Sequence, residues 1–158
     1  MPRRRPLRPI PIDDDRFLVD PPDAADHDAM VALWEVLLPP PPPPGERLLA
    51  FMPCEHGRPA SRVLVIVDDV PLDPPRHEIA HMASFFAEVA HHAPDGHGGV
   101  LLAVVRSGPS GIAEADVRWI EPLAAACAEH DVDLLGLWLR VEDDVPVRLD
   151  APAGMAVA

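Results

Sequence analysis

Five amino acids are missing from this chain of 158 residues: lysine, tyrosine, threonine, asparagine and glutamine. Each of its 13 basic side chains other than histidine is therefore an arginine. These absences indicate a strong codon bias toward G and C, which also raises the share of alanine, proline, arginine, glycine, aspartate and histidine. Because of this bias, the 8 histidines are not in themselves evidence of a metal site.

Cysteine is scarce as well. Cys54 and Cys127 are the two in the chain, which excludes a disulfide framework. Cys127 lies in an alanine-rich helical stretch, where we expect a small core residue. Cys54 lies in the segment Pro53-Cys54-Glu55-His56, and an imidazole beside a thiol can activate it. Closeness in sequence is weak evidence for such a pair, so we predict no cysteine chemistry.

Long apolar runs are also absent. No stretch approaches the roughly 18 apolar residues of a membrane span, and no apolar core of a signal peptide follows the N-terminal arginines. We therefore expect a cytoplasmic protein with no membrane contact. The net charge of −13 repels phosphate backbones and disfavours nucleic-acid binding. Arg3-Arg4-Arg5 and Arg8 form one basic arm, which we expect to be a solvated tail.

Composition divides the chain into five segments. Residues 1–23, rich in proline and aspartate, and residues 151–158 are predicted to be disordered tails. Residues 24–38 are predicted to form a short amphipathic helix. Residues 39–46 contain six consecutive prolines and are predicted to be a stiff polyproline linker. Residues 47–150 are predicted to be the single folded domain. We expect a protein partner to bind through the 24–38 helix or the proline tract.

Apolar patterns within 47–150 predict a single layered α/β domain. The predicted strands are 48–52, 62–67, 100–105, 134–141 and 145–149, and the predicted helices are 76–92 and 114–129. The resulting order, β-β-α-β-α-β-(β), places the central strands under helices. Pro122 interrupts the second helix, where we expect a kink or a restart.

The residues from His77 to His81 read H-E-x-x-H, a string that specifies a chemistry. On a helix, this spacing places two imidazoles one turn apart as zinc ligands, and Glu78 is then the general base of a hydrolase. A minimal zinc metallopeptidase with ligands His77 and His81 is therefore one hypothesis for the function.

The phase of the same helix argues against that hypothesis. At about 100° per residue, an apolar stripe lies nearly opposite the two histidines and would turn them toward water if it packs on a sheet. The stripe consists of Ile79, Met82, Phe86 and Val89. A catalytic zinc also needs a third protein ligand, and the available residues are poorly placed for it. They are Glu88, His91, His92, His97 and Glu114. We therefore expect a solvated face that binds no catalytic metal.

The stretch from 100 to 137 resembles part of the JAB/MPN domain, especially its bacterial RadC-like branch. That family has a His-x-His-Pro-Ser-Gly loop after a core strand, then a helix that opens with Ser-x-x-Asp, then another strand. The matching residues are Pro109-Ser110-Gly111 and, if three loop residues are deleted, Asp116, which would be the family's metal-binding aspartate. The upstream elements suit the same order, so the resemblance covers roughly 47–149.

Two departures from the JAB/MPN pattern concern the metal. Arg106 and Gly108 stand where the family has its two histidine ligands, and no histidine occurs between His97 and His130. The resemblance therefore implies a degenerate, non-catalytic member without the zinc site.

The loop 106–111 supports a second alternative. Arg106, Ser107 and Ser110 could hold an anion or a nucleotide phosphate at the start of the following helix. The loop has neither a G-x-G-x-x-G nor a P-loop pattern, and a tight turn explains its glycines and proline. The acidic pairs Asp68-Asp69 and Asp143-Asp144 lack the spacing of a known Mg²⁺ or Ca²⁺ loop. The leading hypothesis is a non-catalytic accessory or protein-interaction domain without a cofactor.

Overall fold

The structure is a computed structural model that describes residues 7–11, 21–59, 63–68, 70, 75–90 and 98–149. The strands within these residues are β1 (Leu7–Pro11), β2 (Arg47–Glu55), β3 (Arg58–Pro59), β4 (Val63–Val67), β5 (Gly98–Arg106), β6 (Asp133–Val141) and β7 (Val147–Arg148). The helices are α1 (His27–Leu37), α2 (Arg76–Ala90), α3 (Glu114–Val117) and α4 (Ile120–Glu129). The mixed α/β class predicted from the sequence is confirmed.

The strands form one sheet with the order β1-β4-β2-β5-β6-β7, and β3 pairs with β2. Neighbours are antiparallel except β5 and β6, which are parallel and are joined through α3 and α4. β2 and β5 pair along their whole length, from Arg47 opposite Arg106 to Glu55 opposite Gly98. This long central pair is the frame on which the candidate site is built.

Helices cover both faces of the sheet. Alternate residues of β2 show the division, since Leu49 and Phe51 pack toward α2 and α4 while Leu48 and Ala50 pack toward α1. Strands covered on both faces read as continuous apolar runs, which is why β5 is buried at every position. The result is an α/β/α layering with two apolar cores, one on each side of the sheet.

Helix α1 packs directly on the sheet and shares a core with it. Met30, Leu33 and Trp34 are buried against residues of β2, β4, β5 and β6. Its N-cap is Asp26, whose side chain accepts the backbone N–H of Ala29 at 3.2 Å. The segment predicted as a separate helix at 24–38 therefore contributes one of the two helical layers of the folded unit.

Residues 1–23 include a strand that the sequence did not reveal. β1 lies at the edge of the sheet and pairs with β4, and an edge is where strand prolines such as Pro9 and Pro11 are tolerated. The carbonyl of Pro21 accepts a hydrogen bond from Arg58 at 2.7 Å. Residues 1–6, 12–20 and 150–158, which include most of the two tails, lie outside the described residues.

The predicted helix 114–129 is two helices. α3 ends at Val117, and Arg118 and Trp119 separate it from α4. Pro122 lies in the first turn of α4, where its missing N–H removes no intrahelical hydrogen bond. The second helix therefore begins two residues before Pro122, the residue that predicted the interruption. Asp116 lies on the short separate helix α3.

Candidate functional site

The two histidines of the H-E-x-x-H motif lie on the outer face of α2. His77 and His81 are exposed, while Ile79 and Phe86 on the opposite side are buried under the sheet. Met82 and Val89 pack against the same core. The orientation is the one that the helical phase predicts, and it leaves Glu78 partly exposed between the two histidines.

The candidates for a third zinc ligand do not join this pair where they are described. Among the described residues, no three His, Cys, Asp or Glu side chains lie close enough together to hold a metal ion. Glu88 is exposed near the end of α2, and Glu114 is exposed on α3. His91, His92 and His97 lie outside the described residues.

A charged cluster is buried instead at the other end of the central strands. Arg47 begins β2, Arg106 ends β5, and the two are cross-strand partners. Both side chains point to the face that carries α2 and α4, because Leu49 and Val104, two positions away, lie in that core. Two arginines placed opposite each other repel, so the pair requires an anion between them.

Asp116 of α3 supplies that anion and is only 1% exposed. Its Oδ1 accepts hydrogen bonds from Arg47 Nη2 and from Arg106 Nε, both at 2.9 Å. Its Oδ2 accepts from Arg106 Nη2 at 2.8 Å and from the backbone N–H of Ala113 at 2.7 Å. The carboxylate therefore accepts four hydrogen bonds, and the pair with Arg106 is bidentate.

The electrostatics favour an ionised Asp116. Burial opposes ionisation of its carboxyl group, but the hydrogen bonds from Arg106 and Ala113 and the charges of Arg106 and Arg47 outweigh burial. The pKa of Asp116 consequently lies below its ordinary value. Burial lowers the pKa of Arg47, the charge of Asp116 opposes that shift, and the charge of Arg106 adds to it.

Arg106 has no donor left for an external anion. Its guanidinium group donates to Asp116 and to three carbonyl oxygens of its own loop: Ser107 at 3.3 Å, Pro109 at 3.1 Å and Gly111 at 2.9 Å. These bonds use all five N–H groups of the side chain. These hydrogen bonds hold the loop 106–111 against the side chain of Arg106.

The same loop is already bonded to a carboxylate of this chain. The N–H of Gly108 donates to Glu142 Oε1 at 2.8 Å, and the N–H of Glu142 donates to the carbonyl of Arg106 at 2.9 Å. Ser107 is half-buried and its Oγ donates to the carbonyl of Pro42, while Ser110 is exposed. An anion at this loop would have to compete with Glu142 for the Gly108 N–H.

Both cysteines are buried and free. Burial raises the pKa of Cys54 to about 12 and that of Cys127 to about 11. The side chain of Cys54 faces the core under α1, whereas His56 is exposed in the turn after β2. Such thiols are protonated at neutral pH, which makes them poor nucleophiles.

Two of the buried charged residues were not predicted from the sequence. They are Arg47 and Arg140, which are 4% and 7% exposed. A signal was available: Arg47 directly precedes the apolar run 48–54, and Arg140 lies within the otherwise uncharged stretch 134–141. A charged residue in such a place is buried only when it has partners. By contrast, Asp143 and Asp144 are exposed in the turn after β6.

Comparisons with known proteins do not assign a family. The sequence matches no protein-family model and no curated protein. The longest helix in the described part of the chain, α2, has 15 residues, and none of the described helices is long and apolar enough to cross a bilayer.

Proposed function

We propose that this chain is a non-catalytic α/β accessory or protein-interaction domain that resembles a degenerate JAB/MPN module. One observation carries the proposal: the carboxylate of Asp116 accepts four hydrogen bonds from Arg47, Arg106 and Ala113. In the family pattern, an aspartate at this position is a metal ligand. Here the same carboxylate is bound to two guanidinium groups.

The residues at this position do not fit zinc. A zinc site needs three or four nitrogen, sulfur or oxygen ligands, and of the residues matched to the family only Asp116 can supply one. Arg106 occupies the place of one histidine, and its guanidinium is a donor with no lone pair to offer. Gly108 occupies the place of the other. The positive charge that balances Asp116 comes from arginine.

The cluster of Arg47, Arg106 and Asp116 has a structural role, which is compatible with a non-catalytic domain. Through Arg106 it joins the end of β5, the loop 106–111 and the start of α3, and through Arg47 it includes the start of β2. The buried hydrogen bonds to Asp116, together with those from all five N–H groups of Arg106, hold this loop rigidly. A rigid surface is useful for recognition, because it loses little conformational entropy on binding.

The zinc-peptidase alternative rests on His77, His81 and Glu78 and stays a separate hypothesis. A catalytic zinc site has three protein ligands and one open position inside a cleft. The two histidines lie on an exposed helical face, which favours the non-catalytic proposal over this one.

A peptidase assay separates the two hypotheses. The full chain, with about one equivalent of Zn²⁺ added, is incubated with unfolded casein, and the Glu78→Gln variant is the matched control. The proposal predicts equal and background-level peptide release from both proteins. Zinc-dependent release that disappears in the variant would establish a metallopeptidase and overturn the proposal.

The proposal includes a cytoplasmic location and a protein partner. Two unpaired, buried cysteines are typical of a reducing compartment. The net charge of −13 favours a neutral or basic protein surface over nucleic acid.

A further inference from the structure

The proline tract lies on the domain and is tied to it at two points. Arg140 Nη2 donates to the carbonyl of Pro39 at 2.6 Å, and the Oγ of Ser107 donates to the carbonyl of Pro42. The two acceptors are three residues apart. A polyproline II helix has three residues per turn, so its carbonyls at positions i and i+3 point to the same side.

The restrictions of proline favour this conformation for the tract. Each proline fixes its own φ near −65° and holds the preceding residue in the extended region. Leu38, which follows α1, already has φ −70° and ψ 136°. The tract ends in a turn closed by a hydrogen bond from the N–H of Glu46 to the carbonyl of Pro43 at 3.1 Å, with Gly45 at φ 86°.

The two hydrogen bonds hold one side of the proline tract and leave its other side exposed. Pro39 and Pro42 are half-buried on the tethered side, whereas Pro40 and Pro43, also three residues apart, are exposed. Pro44 is exposed as well, and Pro41 is half-buried. Exposed prolines at i and i+3 form the ridge that P-x-x-P ligands present to their receptors.

We propose that Pro40 and Pro43 form a preorganised polyproline ridge, which docks into the aromatic-lined groove of a partner domain. Such grooves recognise polyproline II segments by packing proline rings between aromatic side chains. The tract meets this requirement with its backbone already fixed by Arg140 and Ser107. This inference rests on the proposed function, because it names the surface through which a non-catalytic interaction domain would bind its partner.

Charge near the tract narrows the class of partner. Glu46 follows the prolines directly, and Glu35 precedes them by one turn of α1; both are exposed. An acidic groove rim would therefore be repelled, and the acidic chain as a whole adds to this repulsion. The partner that fits is a polyproline-binding domain with a neutral or basic rim.

The test is a titration of the full chain with three probes: an SH3, a WW and an EVH1 domain, each with a neutral or basic rim. The Pro40→Ala/Pro43→Ala variant removes the ridge, and Pro122→Ala removes an exposed proline elsewhere, on α4. Melting curves check that each variant keeps the fold. Saturable binding to at least one domain is expected, with an affinity at least about tenfold lower in the double variant and unchanged in Pro122→Ala.

Two results would overturn the inference. One is the absence of binding to all three domains at millimolar concentration, and the other is equal binding by the double variant and the unmodified chain. Either result would remove the ridge as a docking surface and leave the non-catalytic proposal standing. Zinc-dependent peptidase activity would instead remove the proposed function itself, so the two failures are distinguishable.

Discussion

Arg106 and Asp116 are joined by two parallel hydrogen bonds, Nε to Oδ1 at 2.9 Å and Nη2 to Oδ2 at 2.8 Å, and both side chains are buried. A buried ion pair is weak evidence for net stability, because two charges have lost their hydration. Replacing only one of the two residues is nevertheless destabilising, because it leaves the other side chain charged and unpaired in the interior.

Asp116→Asn is expected to lower the free energy of unfolding by about 3–5 kcal/mol, because Arg47 and Arg106 would both lose their anion in a buried place. Urea denaturation followed by circular dichroism measures the change. Asp143→Asn, in an exposed turn, is the matched control and is expected to change the free energy by less than about 0.5 kcal/mol. Equal stability of the two variants would show that the cluster is not an integrated network.

The lowered pKa of Asp116 predicts that the free energy of unfolding depends on pH. Its pKa in the folded chain lies below the ordinary value of 3.8, so on acidification the unfolded chain takes up this proton first. The contribution of Asp116 is therefore complete above the ordinary pKa and is lost as the pH falls through the lower pKa of the folded state.

A comparison of variants isolates this contribution from the other acidic groups. The difference in unfolding free energy between the unmodified chain and Asp116→Asn should be constant from about pH 5 to pH 8 and shrink below about pH 4. A difference that grows on acidification would contradict an ionised Asp116.

Phosphate is expected not to stabilise the fold. Every N–H of Arg106 is used inside the chain, and Glu142 already accepts from the Gly108 N–H. Thermal melts with up to about 10 mM phosphate or nucleotide should shift no more than melts with equal ionic strength of chloride. Ser110→Ala is the informative variant, because it changes an exposed loop residue without breaking the buried cluster. A phosphate-specific shift that this variant abolishes would support the anion-binding alternative.

Neither thiol is expected to react in the native chain. Burial raises the pKa of Cys54 to about 12 and that of Cys127 to about 11, so at pH 8 both are almost wholly protonated. A disulfide reagent that releases a coloured thiolate should label both cysteines in denaturant within minutes and label neither at a comparable rate without it. Fast labelling of native Cys54 would indicate activation by His56.

The sequence predicted those parts of the fold that local patterns determine. Apolar runs located β2, β4, β5 and β6, and helical phase identified Ile79 and Phe86 as the buried side of α2. These patterns are informative because burial on one or two faces constrains every second or every third to fourth residue. The exposed position of His77 and His81 follows from the same periodicity.

Contacts between distant residues were beyond such patterns. The bond between Arg47 and Asp116 joins residues 69 positions apart, and that between Arg140 and Pro39 joins residues 101 positions apart. From the local sequence, anion binding by Arg106 was only an alternative, and the proline tract was predicted to be a stiff linker. Only the pairing of β2 with β5, and of β5 with β6, brings their actual partners together.

The most direct test of the central claim is the zinc content of the untagged full chain, purified without chelators and compared with His81→Ala. If arginine has replaced the metal and the exposed histidines form no catalytic site, both proteins should contain less than about 0.1 zinc per chain. About one zinc per unmodified chain, lost in His81→Ala, would contradict the account and establish a zinc centre on α2.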